Sequence, residues 1–458
     1  MTRRSTIQGR TSRVAWIAAA ALALALTGPA RARAQEPSPP PAAPRPITLA
    51  EAVSLAEKNA PRMVQARGRT RSSSAQVRSG YGAFLPGLRF NMGANRRLPS
   101  EGSRTVIGEG GQVEVLPAEP WSFSFSTSAN IDVFNGGRRI NELRQAHATQ
   151  DAAESQETAD RFGTVLEAKE AYFAVLAYRE AQIAAQAGID EAEQQFRAAV
   201  ARVKAGSSTR SDSLRSEIQL RNARLTLMET QNNYYVANAT LTRVVGTPDL
   251  VTAATDDTLS LVGVALGEAQ LIQLVDAGPD VLVAEAELDA AEAGKSIGRS
   301  TYLPNVTAGY SYRGSGTDSQ FGFGDADFSY SGSLGLNLSF PIFDQFLREE
   351  QRVRADVAAD NAEANLRDAR LAARQNLATF LGAYRTAEQR VFAQTATLST
   401  AEEDLRVQQR RYQVGASTLL DLLASQTAVN EAREALIRAR YDQRVAKAQL
   451  EALVGRPL

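Results

Sequence analysis

The sequence predicts an α+β membrane protein folded as an internal two-fold repeat, each half joining a pair of amphipathic strands to a long helical hairpin. Three observations carry this. Leu377, Tyr384, Val391, Leu398, Leu405 and Tyr412 fall seven residues apart, the rhythm breaks at residues 414–423, and Leu422, Val429, Leu436 and Leu450 resume it. Subtracting 209 lands on a second such element: Ala168, Val175, Ile189, Phe196 and Val203, a break, then Leu220, Leu227, Tyr234 and Leu241. From Gly206 to Gly246 against Gly415 to Gly455, 15 of 41 positions are identical without a gap. Between the hairpins lie stretches of strict period two, the mark of strands with one apolar and one polar face.

Of 51 basic and 51 acidic residues, six Arg and no acid fall in residues 1–34, leaving 45 against 51, about −6, on the remainder. No strongly basic surface points to nucleic acid. Residues 1–34 have a basic start (Arg3, Arg4, Arg10, Arg13), an apolar run from Val14 to Leu26 and Ala32-Arg33-Ala34, the build of a secretory signal peptide. The apolar run is short of the roughly 20 residues that span a bilayer. With no Cys in the chain, disulfides, thiol chemistry and a lipidated N-terminal Cys are excluded. An exported chain with no apolar spanning helix is expected to be periplasmic, secreted or a β-barrel of an outer membrane.

Residues 35–47, rich in Pro and Ala, read as an extended linker. The first repeat, 48–246, opens with Thr48 and Glu51 at capping-box spacing and a helical stretch over 48–81 that Pro61 interrupts. Strands follow at about 84–96 and 121–134, joined by a polar loop. Helices at about 137–205 and 209–245 complete the half. Residues 247–264 connect to the second repeat, 265–458, with helices at about 266–301, 345–414 and 418–454 and strands at about 303–313 and 328–341. The two longest helices contain no Pro and would reach about 100 Å at 1.5 Å per residue. Their return helices cover half that length, which the separate segments 48–81 and 266–301 could complete by stacking end to end. Abundant Ala beside the seam (Ala168, Ala171, Ala174, Ala177) allows close helix approach on more than one side.

Phe123, Phe125, Ala129, Ile131 and Val133 alternate with Ser and Asn, as do Phe328, Tyr330, Leu334, Leu336, Leu338 and Phe340. A soluble sandwich would also alternate, but a polar face of Ser, Asn and Gly opposite an aromatic-rich face suits a wet lumen and a lipid exterior. Four strands cannot close a barrel, so copies of the chain must assemble. Two copies give eight strands with a filled interior; three give twelve and room for a conduit, which a duct prefers.

Catalytic chemistry lacks a constellation. The single His, His147, reads as a surface residue on a long helix, no phosphate-cradling loop lies between strand and helix, and no enzyme activity, metal or cofactor is expected.

Both strand pairs open through an aromatic-Leu-Pro step, Phe84-Leu85-Pro86 and Tyr302-Leu303-Pro304, and both tips read G-x-x-T-x-x-D. The first return strand leaves through Val133-Phe134-Asn135-Gly136-Gly137, the second through Ile342-Phe343-Asp344-Gln345-Phe346 without the glycine pair. In duplicate and in order, over about Thr48 to Arg456, these features resemble the TolC-type outer-membrane efflux protein family. The resemblance implies a homotrimeric 12-stranded β-barrel in the outer membrane of a Gram-negative bacterium, continued through the periplasm by a helical coiled-coil barrel. It implies an exit duct of a tripartite efflux or type I secretion system, docked to a periplasmic adaptor (membrane fusion) protein and an inner-membrane transporter. A different class of reading, a periplasmic coiled-coil adaptor, would show one hairpin among compact β modules.

For the tips, the resemblance places Asp421 at the first pore aspartate, with Ala424 where a second stands. It pairs Tyr412 with Asp212 across helices in the closed form, and puts Ser417 where an Arg reinforces that link, implying a weaker latch. Gly206, Ser208, Thr209, Gly415, Ser417 and Thr418 become the adaptor-docking tips. From the residues alone, Thr209 with Asp212 and Thr418 with Asp421 sit at N-cap and N3 spacing, so helix capping is a compatible second role.

Overall fold

The computed structural model describes residues 44–98, 103–107, 113–117, 119–254, 263, 267–318, 320–321 and 327–458. The expected export signal, most of the Pro-rich linker and the middle of the connector lie outside the described residues.

In chain order the first half holds β1 (Arg45–Ile47), α1 (Leu49–Asn59), α2 (Pro61–Gly82), β2 (Gly87–Arg96), β3 (Ser103–Ile107), β4 (Val113–Pro117), β5 (Trp121–Phe134), α3 (Arg138–Lys204) and α4 (Arg210–Val245). The second holds β6 (Val251–Ala253), α5 (Glu268–Val275), α6 (Pro279–Ser300), β7 (Asn305–Asp318), β8 (Asp327–Ser339), α7 (Leu347–Gln413) and α8 (Leu419–Val454). The long helices, α3 and α7, have 67 residues each, and the return helices, α4 and α8, have 36 each. In each repeat the break between the two short helices lies at the end of the return helix. A Cβ on Gly246, just past α4, would stand 2.9 Å from Asn59 Cβ at the end of α1; one on Gly455, past α8, would stand 2.9 Å from Pro279 Cγ at the start of α6.

The heptad seam is buried. Val175, Leu241, Val429 and Leu450 are fully enclosed, and Leu220, Leu377, Tyr384, Leu405, Leu422 and Leu436 nearly so, as knobs-into-holes packing requires. The first core gathers Ala52, Ala56, Ala168, Tyr172, Val175 and Leu241 where α1 lies on α3 and α4; the second gathers Leu271, Val281, Leu377, Leu381 and Leu450 where α5 and α6 lie on α7 and α8.

Two elements depart from the sequence reading. Residues 45–47, expected as linker, form β1 and pair in parallel with β6 of the expected connector, through Arg45↔Val251, Pro46↔Thr252 and Ile47↔Ala253. Tyr172, fully buried, donates its hydroxyl to Ile47 O at 3.2 Å and so ties this small sheet to α3. The polar loop expected between the first two strands carries the β3–β4 pair, where Thr105-Val106-Ile107 and Val113-Glu114-Val115 supply β-favouring residues.

The main sheet is antiparallel in the order β2-β5-β7-β8, so β5 and β7 join the two repeats and β2 and β8 are its edges. Register sorts the side chains into two faces. Leu88, Ala129, Tyr310 and Leu334 share one level of the first face, and Met92, Phe125, Gly314 and Tyr330 another; Arg89, Ser128, Ser311 and Ser333 share a level of the second. Away from the loop end, where Phe123 is buried, the apolar face is bare in the single chain, with Leu88, Phe90, Leu334, Leu336 and Leu338 all more than 60% exposed. On the polar face Ser311 and Ser333 hydroxyls meet at 2.8 Å. Aromatic rings crowd the loop end of the apolar face: Trp121 against Phe321 at 4.8 Å, Phe125 against Tyr330 at 6.0 Å and Tyr312 stacked on Tyr330 at 6.1 Å.

From β5 the chain turns into α3 through Gly136 and Gly137, both in the left-handed region at φ 65° and 79°. The second half makes the same turn without glycine: Gln345 and Phe346 hold φ 61° and 66°, a conformation that costs an L residue about 1–2 kcal/mol. Phe346 gains an edge contact with Phe343 at 5.7 Å, and Asp344 holds Arg348 at 2.8 Å.

Candidate functional site

Each long helix ends in a tight turn into its return helix, and the two turns are copies. Ser207 N donates to Arg202 O at 2.9 Å and Ala416 N to Arg411 O at 2.8 Å, with Gly206 at φ 69° and Gly415 at φ 74°. These six-to-one bonds satisfy carbonyls that a helix end would leave unpaired.

The turns lead into full capping boxes. Asp212 N donates to Thr209 Oγ1 at 3.3 Å, and Asp212 Oδ2 accepts from Thr209 N at 3.0 Å. Asp421 N donates to Thr418 Oγ1 at 3.2 Å, and Asp421 Oδ2 accepts from Thr418 N at 3.0 Å. Ser208 Oγ adds a bond to Asp212 at 2.7 Å; Ser417 Oγ lies 3.3 Å from Asp421 Oδ2 and 3.0 Å from Gln408 Oε1. Donors stabilise the ionised carboxyl, so both acids titrate below the usual carboxylate range. For Asp212 the Ser208 hydroxyl is the largest cause; for Asp421 it is the Thr418 hydroxyl, followed by the Thr418 N–H. Asp421 is exposed and Asp212 half-buried, so capping leaves the Asp421 carboxylate in particular open to solvent.

Tyr412 and Asp212 are not hydrogen-bonded to each other among the described residues. Asp212 is engaged by its own turn, while the Tyr412 ring lies 4.2 Å from the Arg202 guanidinium. Arg202 Nη1 also donates to Tyr412 O at 3.0 Å, and Nη2 to Gln413 O at 3.5 Å. A cation from the last turn of α3 therefore caps the carbonyl end of α7, where the helix dipole is negative. The sequence reading missed Arg202. Its signal was the 209-residue offset, which puts Arg202 opposite Arg411, but only three dimensions bring Arg202 to the other hairpin.

Further from the tip, Glu191 on α3 faces Gln426 Nε2 at 3.2 Å and Arg433 Nη1 at 3.4 Å on α8, and Arg433 reaches Glu402 on α7 at 3.6 Å. Lys169 pairs with Glu451 in a largely enclosed site between the same two hairpins. His147, expected as a surface residue, stands edge-on to Tyr81 at 5.9 Å. Among the described residues no group of three or more His, Asp or Glu converges as a metal site, and no helix is long and apolar enough to cross a membrane.

Residues 52–247 and 272–456 match the outer membrane efflux protein family. The chain belongs to that family. Among curated relatives it is 26% identical over 388 residues to the pyoverdine export outer membrane protein OpmQ of Pseudomonas aeruginosa, spanning 84% of this chain and 79% of the relative. It is 28% identical over 401 residues to protein CyaE of Bordetella pertussis, spanning 85% and 80%. Its fold matches a crystallised membrane protein from Pseudomonas aeruginosa with a TM-score of 0.72 at 21% identity, covering 89% of this chain and 93% of the other. It also matches the open state of the Neisseria gonorrhoeae MtrE outer membrane channel with a TM-score of 0.69 at 20% identity, covering 89% of each. As a member of the outer membrane efflux protein family, the chain is an outer-membrane exit duct, and the adaptor alternative falls away.

Proposed function

We propose that three chains close head to tail into a twelve-stranded barrel in the outer membrane, continued by a twelve-helix tunnel whose tips form a gated periplasmic entrance. The supporting observation is that both layers of the single chain end in open edges on the same plan. The sheet ends at β2 and β8, which run antiparallel, so β8 of one copy meets β2 of the next without reversing direction. The helices form a row, α4 beside α3, α3 beside α8, α8 beside α7, and its two ends carry apolar stripes. On α4 Leu214, Ile218, Leu225, Met228 and Tyr235 follow heptad spacing and are at least half exposed; on α7 Val357, Leu371 and Phe392 lie 14 and 21 residues apart and are also exposed. A head-to-tail contact of this kind builds a closed ring.

The Ser-lined face turns to the lumen, because Arg89 and Arg313 lie on it and an Arg facing lipid costs about 2–4 kcal/mol near the bilayer midplane. Asp421 and Asp212 face the entrance at the tips while capping α8 and α4, and Arg202 with Tyr412 holds the two hairpins together there. The turn residues Gly206, Ser208, Thr209, Gly415, Ser417 and Thr418 form the end that an adaptor and, through it, an inner-membrane transporter would meet. Transport energy comes from that transporter; the duct is passive. Fractionation of expressing cells tests the assembly: the expected product is an outer-membrane species that migrates as a trimer unheated and as a monomer after boiling. A soluble periplasmic monomer would overturn the reading.

A further inference from the structure

The geometry points to a cationic belt inside the barrel, carried by Arg89 and Arg313, that favours passage of solutes bearing carboxylate, phosphate or sulfonate groups; this rests on the lumen assignment proposed above. Read across the strands, three successive levels of the polar face are Arg89–Ser128–Ser311–Ser333, Asn91–Ser126–Arg313–Ser331 and Gly93–Ser124–Ser315–Ser329. These twelve positions hold two guanidinium groups, ten Ser, Asn or Gly residues around them, and no acid. Both Arg side chains are exposed on the sheet. The nearest acids along that face flank the belt on both sides: Asp132 is four residues beyond Ser128 on β5, and Asp327 pairs with Thr317, which also holds Glu119, four residues beyond Arg313 on β7. Each lies about 13 Å of strand away, which exceeds the roughly 8 Å over which physiological salt screens.

The composition makes the belt permanent. Arg stays charged across the accessible pH range, and Ser hydroxyls and Asn amides hydrate a passing solute without cancelling the charge. Three chains would set six guanidiniums around one section of a water-filled pore with a low-dielectric wall, an arrangement that concentrates counter-ions. It contrasts with the tips, where Asp212 and Asp421 supply the opposite sign. The belt and the entrance are therefore separate charge filters on one path, and the belt is the one set by the membrane-spanning strands.

A local chemical probe reads the belt independently of the tips. The chain has no Cys, so Ser126→Cys, level with Arg313, is a unique thiol in the full-length protein in proteoliposomes. Its reaction rates with anionic sulfonatoethyl and cationic trimethylammonioethyl methanethiosulfonate are compared, each divided by the rate with a free small thiol. The expected normalised anion-to-cation ratio is on the order of fivefold, from a potential of about one kT acting on probes of opposite charge. It falls toward one in the Arg89→Gln/Arg313→Gln background and is retained with Arg313→Lys. A ratio at or below one, or one unmoved by the double replacement, overturns the belt while a reactive Cys leaves the lumen assignment standing. A Ser126→Cys that neither reagent reaches overturns both.

Discussion

At the scale of single residues, Asp421 does two things with one carboxylate. It accepts from the Thr418 N–H and hydroxyl, which starts α8, and its exposure leaves it able to meet cations at the proposed entrance. The two roles separate on substitution. Asp421→Asn keeps an acceptor for the cap and removes the charge, so single-channel conductance and cation block should change while helicity does not. Asp421→Ala should in addition loosen the start of α8, because it removes the N3 acceptor of the capping box. Conductance and block identical to wild type in both variants would remove the pore role. The pH dependence has a definite sign. The folded carboxyl titrates below its ordinary value near about 3.9, so its charge and its contribution to the turn are complete above that value and fade only as pH falls through the depressed one. Cation block should be flat from neutral pH down to about 5; a midpoint near 6 would assign it to another group. The sequence showed this cap because Thr and Asp three apart are a local pattern. It could not show Arg202 against Tyr412, because that contact joins residues 210 apart through the packing of two hairpins.

At the scale of elements, the strands and long helices could be read because each repeats one rule over many residues: period two in the sheet, seven in the helices. Helix ends agree within a few residues because Gly206, Gly246, Gly415 and Gly455 stand just past them, all at positive φ. β1 could not be read, since three residues carry no period and their partner β6 lies some two hundred residues away. The β3–β4 hairpin was hidden by its polar, Gly-rich surroundings. The apolar stripes on the outer faces of α4 and α7 do not stand out in the sequence, because they share the helices with the stronger internal seam and a seven-residue count does not say which face looks inward. They define an expectation. Leu225→Glu places a charge in the proposed contact and forfeits roughly 1.5–3 kcal/mol of apolar burial at each of three interfaces. The trimer band on unheated gels should weaken while the circular dichroism of the helices persists; an unaffected trimer would show that the stripe faces water or another partner.

At the scale of the whole molecule, the chain is stable only in part by itself. Its helical cores are complete: Leu241, Val245, Leu271 and Leu450 are fully buried without help from a second copy. Its sheet is not, because among the described residues β2 and β8 each have a neighbouring strand on one side only, and in hydrocarbon an unpaired backbone group costs several kcal/mol. In the proposed trimer, strand pairing between copies and closure of the barrel are then one event, whereas helix formation is separate. Denaturation of the purified assembly in lipid should show this as two kinds of signal. The β-sheet signal and the trimer population should disappear together, at a midpoint that rises with protein concentration, while helical signal survives beyond it. A monomer in lipid that keeps its strand signal would mean that the four-stranded sheet finds another way to satisfy its edges, and the head-to-tail ring would have to be abandoned.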